Sequence, residues 1–358
     1  MTGSPFTSED QFRATYRDKL AAMLHANPTA RDFGLSAFIL VCANAYFDRD
    51  ILVDLDNDLR KAFINIREKY FRLFAEGQIL DERYAEDLLV FLKIALVGLE
   101  QLRVTEHRSL DEWTLQFNHI RSFRPQRSAG RSVSSIDVPF NENAFHYDAA
   151  LCERESFWSG DLAGKNVSLL YNKYPFARLH ALLIPEPERK QRQFLDKEYL
   201  AWAWEATKTL GQNLPGFGMG FNSLGSFASV NHLHFQTFIE PRGMPVTKNI
   251  WKHNGGEKKY PLPCIVFTTW QACWHWIERI CEQNINSYNL LFTPQKIYCF
   301  ERKRQGTYRH AHWTSGFAWY ELSGNLITFS REDYSGITAG RIDKEYKKLK
   351  ILQLRSTP

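Results

Sequence analysis

Two histidines and a glutamine alternate along one short segment of the sequence, His232-Leu-His234-Phe-Gln236. We predict a strand over 230–239, in which residues two apart lie on the same face of a sheet. His232, His234 and Gln236 would then point to one side, and the residues between them would point into the core. A row of polar side chains beside a buried strand is costly unless something uses it. The spacing therefore indicates a functional site.

A turn rich in small and hydroxyl-bearing residues precedes these histidines. It contains Asn222, Ser223, Gly225, Ser226 and Ser229. Such a turn can bring backbone N–H groups and hydroxyls to a phosphate. A neutral imidazole is a good nucleophile near pH 7 when a neighbour holds its other ring nitrogen and so fixes the tautomer. A nucleophilic imidazole beside a phosphate-binding turn indicates covalent phosphoryl or nucleotidyl transfer.

The string 220–236, GFNSLGSFASVNHLHFQ, resembles the H-x-H-x-Q motif of the transferase branch of the histidine-triad superfamily. That branch includes galactose-1-phosphate uridylyltransferase, diadenosine tetraphosphate phosphorylases and GDP-hexose phosphorylases. The string is most similar to that of GDP-L-galactose and GDP-D-glucose phosphorylases. Further similar segments are 121–125 (RSFRP), 171–185 (YNKYPFARLHALLIP), 288–292 (YNLLF) and 321–326 (ELSGNL). The resemblance spans roughly residues 120–345 and leaves out the first third of the chain.

The resemblance implies a catalytic role for each motif residue. His234 would attack the α-phosphorus of a nucleotide and form a nucleotidyl-histidine. Gln236, which stands where hydrolytic members of the superfamily have a third histidine, would hydrogen-bond the phosphoryl oxygens, and His232 would orient its neighbour. Transfer of the nucleotide to inorganic phosphate or a sugar phosphate would follow, with ping-pong kinetics.

The turn is also implied to bind substrate. Ser226 and Ser229 would donate to phosphate, and Asn222 would contact the sugar or a phosphate, with Ser223 and Gly225 in the same turn. The first of the further segments adds Arg121 and Arg124, at positions where the family's arginines meet phosphates.

Two guanidiniums three residues apart, as at Arg121 and Arg124, also suit bidentate phosphate contacts. Lys173 and His180, in the segment 171–185, are also expected to bind substrate, and His180 takes the place of a supporting histidine. Leu179 replaces the glycine that usually precedes that histidine. The zinc-binding C-x-x-C pair of some uridylyltransferases is absent from the sequence, so the resemblance implies no metal and no cofactor.

Three other interpretations stay open at this stage. The substrate of such an enzyme could be diadenosine tetraphosphate rather than a GDP-hexose. The chain could instead be a nucleotide-binding protein that has lost catalysis. Finally, His232, His234 and Glu240 form an H-x-H-x5-E pattern that could ligate a divalent metal in a cupin-like barrel. Pro241 directly follows that glutamate, and the metal interpretation leaves the hydroxyl-rich turn unexplained.

The remaining sequence predicts the elements that would position this site. Helical spacing of apolar residues predicts helices at 9–25, 34–47, 55–75 and 82–103, so the first 115 or so residues are expected to be helical. A mixed pattern follows, with helices at 195–212 and 270–284 and strands at 166–171, 180–184, 217–222, 230–239, 264–268, 288–292, 297–301 and 325–329. We predict an α+β fold in which residues 1–118 form a helical domain of unassigned role. Residues 119–358 would form a histidine-triad domain with an antiparallel sheet and flanking helices.

Composition limits the classes of partner. The chain has 358 residues and a net charge of +5, which suits anionic substrates such as a nucleotide sugar or dinucleotide and phosphate. That charge is too mild to indicate nucleic-acid binding. No apolar run reaches the length of a membrane span, and the N-terminus lacks the features of a signal peptide. Six scattered cysteines are typical of reduced thiols, which predicts a cytoplasmic protein. A homodimer is left open.

Overall fold

The computed structural model describes residues 3–25, 33–78, 82–125 and 133–351. The predicted α+β fold, with an antiparallel sheet and flanking helices, is confirmed. The helices are α1 (Glu9–His25), α2 (Phe33–Ala45), α3 (Arg49–Ala75), α4 (Ala85–Val97), α5 (His119–Phe123), α6 (Ala149–Glu155), α7 (Lys197–Gly211), α8 (Trp270–Gln283), α9 (Trp319–Leu322), α10 (Arg331–Gly336) and α11 (Ala339–Lys348). The strands are β1 (Glu106–Leu110), β2 (Trp113–Phe117), β3 (Ser156–Leu162), β4 (Lys165–Tyr171), β5 (Ala181–Pro185), β6 (Phe217–Asn222), β7 (Phe235–Ile239), β8 (Ile265–Phe267), β9 (Ser287–Phe292), β10 (Ile297–Arg302) and β11 (Asn325–Thr328).

The larger sheet has eight strands in the order β3-β4-β5-β7-β6-β9-β10-β8. Every neighbouring pair in it is antiparallel. Strand β7, which carries Gln236, lies between β5 and β6, so Gln236 is paired with Leu182 on one side and Gly220 on the other. The end of the histidine motif is thus held in the middle of the sheet.

The two faces of this sheet bury different sets of side chains. On β7, Phe235 and Ile239 pack into the large core that also contains residues of α7, α8 and the first four helices. Phe238, on the opposite face, packs into a second core with Trp319 and the strands of the small sheet. Because side chains alternate along a strand, Gln236 lies on the same face as Phe238. That face carries the candidate site.

The helices of the first third pack against the sheet instead of standing apart from it. Tyr16 of α1 contacts the rings of Phe157 on β3 and Tyr171 on β4, with ring centroids 5.0 and 4.7 Å apart. Asn44 of α2 donates a hydrogen bond to the carbonyl oxygen of Asn172 at 3.0 Å. The helices therefore share the main core with the sheet. The domain boundary at residue 118 stays a prediction.

The last part of the predicted helical region is not helical. Helix α4 ends at Val97 because Gly98, with φ of +91°, leaves the helical conformation. Residues 106–117 form the β1-β2 hairpin, and β2 pairs in parallel with β11. Trp113, Leu115 and Phe117 point inward at every second position, which is a strand pattern. The helix prediction failed here because the partner strand is supplied by the far end of the chain.

The described residues hold no helix that combines the length and the hydropathy required to cross a membrane.

Candidate active site

The predicted strand over 230–239 is wrong in its first half, because β7 begins only at Phe235. The backbone just before it is held by loop groups instead of a neighbouring strand. The carbonyl oxygen of Gln191 accepts a hydrogen bond from Leu233 N at 2.7 Å. His234 N donates to Gln193 Oε1 at 2.9 Å. His232 and His234 thus lie in a loop that runs directly into the sheet.

Gln193 was not singled out by the sequence, yet its side chain is fully buried against this loop. Its Oε1 accepts from His234 N, and its Nε2 donates to the carbonyl oxygens of His234 and Asn222 at 3.3 and 2.9 Å. A single amide therefore ties the histidine segment to the end of β6. No local sequence motif indicated this role, because glutamine is common and Gln193 and His234 are 41 residues apart in the sequence.

The imidazole of His234 is held in one tautomer. Its Nδ1 lies 2.7 Å from the carbonyl oxygen of His232. A carbonyl can only accept, so Nδ1 carries the proton and Nε2 keeps its lone pair. Burial lowers the pKa of His234 to about 4, so the ring is neutral at pH 7. Nε2 makes no hydrogen bond to any residue of the described chain. The ring has the protonation state that a nucleophile needs.

His232 has the opposite tautomer. Its Nδ1 accepts a hydrogen bond from Tyr147 N at 3.1 Å, so the proton of the neutral ring sits on Nε2. Within the described chain this Nε2 is buried without a hydrogen-bond partner. Burial, with the neighbouring His234, lowers the pKa of His232 to about 4. His232 therefore supports His234 through its backbone carbonyl and brings one unpaired N–H donor to the site.

The ring of Tyr147 packs against both histidines. Its centroid lies 5.7 Å from that of His232 and 5.3 Å from that of His234. Tyr147 also belongs to a small apolar cluster with Leu170 and Ile184, on the same face of the sheet as Gln236. This aromatic contact limits rotation of the His234 ring, and sequence reasoning missed it.

Gln236 lies two residues beyond His234 and is partly exposed. Its Oε1 accepts a hydrogen bond from the indole Nε1 of Trp319 at 2.5 Å. Since the indole is a donor only, this contact identifies which end of the amide is the oxygen. The NH2 end makes no hydrogen bond within the described residues. It is thus available as a hydrogen-bond donor.

The hydroxyl-rich turn is stabilised by hydrogen bonds within it and to Tyr288 of β9. Ser226 Oγ lies 2.8 Å from the carbonyl oxygen of Ser223 and 2.7 Å from that of Tyr288, so its single proton is shared between two acceptors, and the hydroxyl is fully buried. Ser223 Oγ accepts from Tyr288 N at 3.0 Å. Gly225 adopts a positive φ of +78°, which suits a residue without a side chain. These groups shape the turn, and a phosphate contact by them stays a prediction.

The other two predicted turn residues, Asn222 and Ser229, make different contacts. Asn222 is buried, and its Oδ1 accepts from Asn289 Nδ2 at 2.6 Å and from Trp319 N at 2.9 Å. The side-chain oxygen of Asn222 therefore already accepts two hydrogen bonds from other residues of the protein. Ser229 is exposed, and its hydroxyl makes no hydrogen bond to a described residue. Of the predicted turn residues, Ser229 has the hydroxyl most available to a ligand.

Two of the predicted substrate-binding cations form ion pairs with α4. Arg124 Nε lies 2.7 Å from Glu86 Oε1, and Lys173 Nζ lies 2.5 Å from Asp87 Oδ2. The acids are neighbours in the first turn of α4. In this structure the two ion pairs hold α4 against the end of α5, next to Arg124, and against the segment after β4, which contains Lys173. Their contact with substrate stays a prediction.

Arg121 lacks such an ion pair. Its Nη1 donates to the carbonyl oxygen of Tyr174 at 2.7 Å, and its guanidinium lies over the Phe176 ring, 5.0 Å from the centroid. Burial, with the nearby Arg124, lowers its pKa to about 10. Its Nε is buried with no partner among the described residues. Arg121 therefore keeps hydrogen-bonding capacity that an anion could use.

His180 is a buried structural residue in this fold. Its Nδ1 accepts from Phe176 N at 3.2 Å, and its Nε2 lies 3.4 Å from Asn172 Nδ2. Burial lowers its pKa to about 3, so the ring stays neutral. The Phe176 contact helps to fix the chain between β4 and β5, and the role of His180 as a supporting, substrate-binding histidine stays a prediction.

A groove of about 500 Å³ opens beside the histidine segment. It is lined by Asp137, Pro139, Phe140, Lys190, Gln191 and Arg192. The ring of Phe140 lies 5.4 Å from the His232 ring, centroid to centroid. This volume falls within the range of ligand sites for small molecules.

The cupin-like alternative is not supported by this geometry. The whole of β7 separates His234 from Glu240, which at about 3.3 Å per residue amounts to roughly 20 Å. Glu240 instead lies near Arg242, with Oε1 3.4 Å from Nε. Among the described residues, no group of three or more His, Cys, Asp or Glu side chains is arranged to hold a metal ion.

Comparison with known proteins supports the resemblance carried by the motif. Residues 112–238 match the family model described as "GDPGP1-like, N-terminal domain". The predicted resemblance is confirmed. The chain is 35% identical over 128 residues to human GDP-D-glucose phosphorylase 1, a match that covers 34% of this chain and 33% of the relative. It is 28% identical over 189 residues to GDP-L-galactose phosphorylase 1 of Arabidopsis thaliana, covering 46% and 42%.

The matched part therefore spans about a third of the human relative and less than half of the plant one. Among solved structures, yeast Ap4A phosphorylase Apa2 is similar over 73% of this chain and 93% of that chain, with 15% identity and a TM-score of 0.47.

Proposed function

We propose that this chain is a nucleotidyl-transferring phosphorylase of a nucleoside diphosphate sugar, with a GDP-hexose as the favoured donor, and that it acts through a nucleotidyl-histidine on His234. The observation that carries the proposal is the neutral His234 ring, whose Nδ1 proton is bound by the His232 carbonyl and whose Nε2 lone pair is free. Similarity to GDP-D-glucose and GDP-L-galactose phosphorylases supports the donor class.

The first half-reaction cleaves the donor at its α-phosphorus. The Nε2 lone pair of His234 forms a bond to that phosphorus, and the bond to the bridging oxygen breaks. A hexose phosphate leaves with the bonding electrons, and the ring becomes cationic. The His232 carbonyl stabilises that cation through the Nδ1 proton. The free NH2 group of Gln236 donates to a non-bridging oxygen as negative charge shifts there.

The second half-reaction regenerates the histidine. An oxygen of inorganic phosphate attacks the nucleotidyl phosphorus, the P–N bond breaks, and its electrons return to Nε2. The products are a nucleoside diphosphate and a hexose phosphate. Among the predicted binding residues, Arg121 has an unpaired N–H and Ser229 an exposed hydroxyl, which supports a role for them in meeting the charged groups.

The groove beside His232 has room for part of such a donor. Its cations, Lys190 and Arg192, are paired with Glu142 and Asp137, and we propose that they keep further N–H groups for hydroxyls or phosphate oxygens, while Phe140 offers an aromatic surface. We propose that the transferase activity resides in residues 119–358. The helices of the first third stabilise that part through the main core and through the ion pairs of Arg124 and Lys173.

A donor panel tests this proposal. The wild-type protein and His234→Ala are incubated with phosphate and with GDP-hexoses, UDP-hexoses, ADP-hexoses or diadenosine tetraphosphate, and phosphorolysis is measured. We expect turnover of a GDP-hexose by the wild type and a loss of several orders of magnitude in His234→Ala, with donor still bound. His275→Ala, which removes an exposed histidine on α8, is the control and should remain active.

Labelled donor separates the remaining interpretations. With label on the α-phosphate, the wild type should acquire a covalent label that is acid-labile and base-stable, and His234→Ala should not. Binding of a GDP-hexose without label or turnover would identify a protein that has lost catalysis. Equal turnover by wild type and His234→Ala would remove His234 from the mechanism.

A further inference from the structure

Trp319 connects the far end of the chain to the histidine motif. It opens α9, and its side chain is fully buried. Its indole stacks on the ring of Phe238, with centroids 5.2 Å apart and planes 18° apart. Its Nε1 donates to Gln236 Oε1 at 2.5 Å. The indole thus contacts two successive residues on the site face of β7, at a position where no sequence motif indicated a function.

The position of this indole is fixed from two further directions. Its backbone N donates to Asn222 Oδ1 at 2.9 Å, which ties α9 to the end of β6. Gly220 is paired with Gln236 across the sheet, and a Cβ added there would lie 2.0 Å from an indole carbon. Real Cβ atoms do not come so close to a ring carbon, so the absence of a side chain at Gly220 makes room for Trp319.

These contacts settle how the Gln236 amide is oriented. An amide has an acceptor oxygen and an NH2 donor, and the indole N–H can only donate. If the Gln236 amide turned over, two donors would face each other and a partly buried hydrogen bond would be lost. The Trp319 indole therefore favours the orientation in which the NH2 group of Gln236 is directed away from α9 and remains free.

We propose that Trp319 is a positioning residue for Gln236: its indole N–H holds the amide oxygen so that the NH2 group donates to the phosphoryl group under attack. The catalytic part of this inference rests on the proposed function. The hydrogen bond itself does not, and it is testable without any substrate.

The first test is kinetic. Trp319→Phe keeps an aromatic ring but removes the N–H. We expect kcat for donor phosphorolysis to fall roughly 10- to 100-fold with KM changed by less than about threefold, because the lost interaction forms in the transition state. In a Gln236→Met background, the same substitution should have almost no further effect on kcat.

Trp251→Phe is the matched control. Trp251 is also buried, and its Nε1 donates to the Pro245 carbonyl oxygen at 2.8 Å, so its replacement removes an equivalent hydrogen bond away from the motif. We expect its kcat to stay within about twofold of the wild-type value. Equal losses of kcat in Trp319→Phe and Trp251→Phe, or additive losses from Trp319→Phe and Gln236→Met, would overturn the proposal.

The second test is spectroscopic and needs no activity. In protein labelled with ¹⁵N-tryptophan, the indole resonance of Trp319 is assigned by its absence in Trp319→Phe. It should shift and exchange faster with solvent in Gln236→Met, while the Trp251 resonance stays in place. An unmoved Trp319 resonance would overturn the positioning role. A shifted resonance in a protein that cleaves none of the donors would uphold the hydrogen bond and refute the proposed function instead.

Discussion

Three histidines are buried and neutral in the folded chain, and we predict that together they make its stability sensitive to acid. Burial lowers the pKa of His180 to about 3 and those of His232 and His234 to about 4. In the unfolded chain each would titrate near its ordinary value of about 6.5. The unfolded state therefore binds protons that the folded state excludes. The free energy of unfolding is highest above pH 6.5 and falls as the pH drops toward 4.

The size of this effect follows from the differences in pKa. Between pH 7 and pH 5, proton linkage removes about 2 kcal/mol of stability for each of the three rings, or roughly 5 to 6 kcal/mol in total. A typical domain is stable by only about 5–15 kcal/mol. A loss of this size is easily seen as a decrease in the urea midpoint, measured in steps from pH 7.5 to pH 5.

Single replacements identify the histidines responsible. His180→Gln keeps a polar, uncharged side chain, and its loss of stability between pH 7 and pH 5 should be smaller than that of the wild type by about 2 kcal/mol. His275→Gln, at an exposed position on α8, should show the wild-type loss. If His180→Gln loses as much stability as the wild type over this interval, His180 titrates as an ordinary histidine and the reasoning is refuted.

Three further predictions test the site and its supports. Because burial lowers the pKa of His234 to about 4, kcat/KM for the donor should change less than about threefold between pH 7 and pH 5.5; a tenfold drop would indicate an ordinary histidine. Ser226→Ala should lower the free energy of unfolding in urea by about 1–3 kcal/mol and leave KM unchanged, since it removes a buried hydroxyl whose proton is shared between two carbonyl oxygens. Ser229→Ala should raise KM without changing the unfolding midpoint. If instead Ser226→Ala raised KM and Ser229→Ala lowered the unfolding midpoint, Ser226 would be the binding residue and Ser229 the structural one. Asp87→Asn should destabilise the chain by about 1–3 kcal/mol, because it removes the charge that pairs with Lys173. In a Lys173→Met background the same substitution should have little further effect, since the partner charge is already gone. Additive losses of stability in urea unfolding would contradict the ion pair.

Much of the fold could be read from local patterns. Helix α7 was predicted at 195–212 and extends over Lys197–Gly211, and strand β6 was predicted at 217–222 and matches it. These elements are specified by the spacing of their own apolar residues, because alternation or helical periodicity within a segment determines which face is buried. The hairpin at 106–117 was missed because its inward pattern has meaning only beside β11.

The predicted catalytic residues were likewise visible in one segment. His232, His234 and Gln236 are close in sequence, and their spacing predicted a common strand face, although only Gln236 lies on β7. The groups that set their chemistry are not close in sequence. Gln193 holds the backbone of His234 across 41 residues, and Trp319 holds Gln236 across 83. Hydrogen bonds between distant residues leave no periodic signal in the chain.

The sequence by itself determined that this protein has an α+β architecture, with two histidines and a glutamine at alternate positions just after a hydroxyl-rich turn. Only the tertiary structure decided which ring nitrogen of His234 keeps its lone pair, because that depends on which carbonyl lies next to Nδ1. It also decided that Arg124 and Lys173 meet acidic residues of α4. A charged side chain binds whatever opposite charge folding brings within reach, and that partner cannot be read from its own neighbours in the sequence.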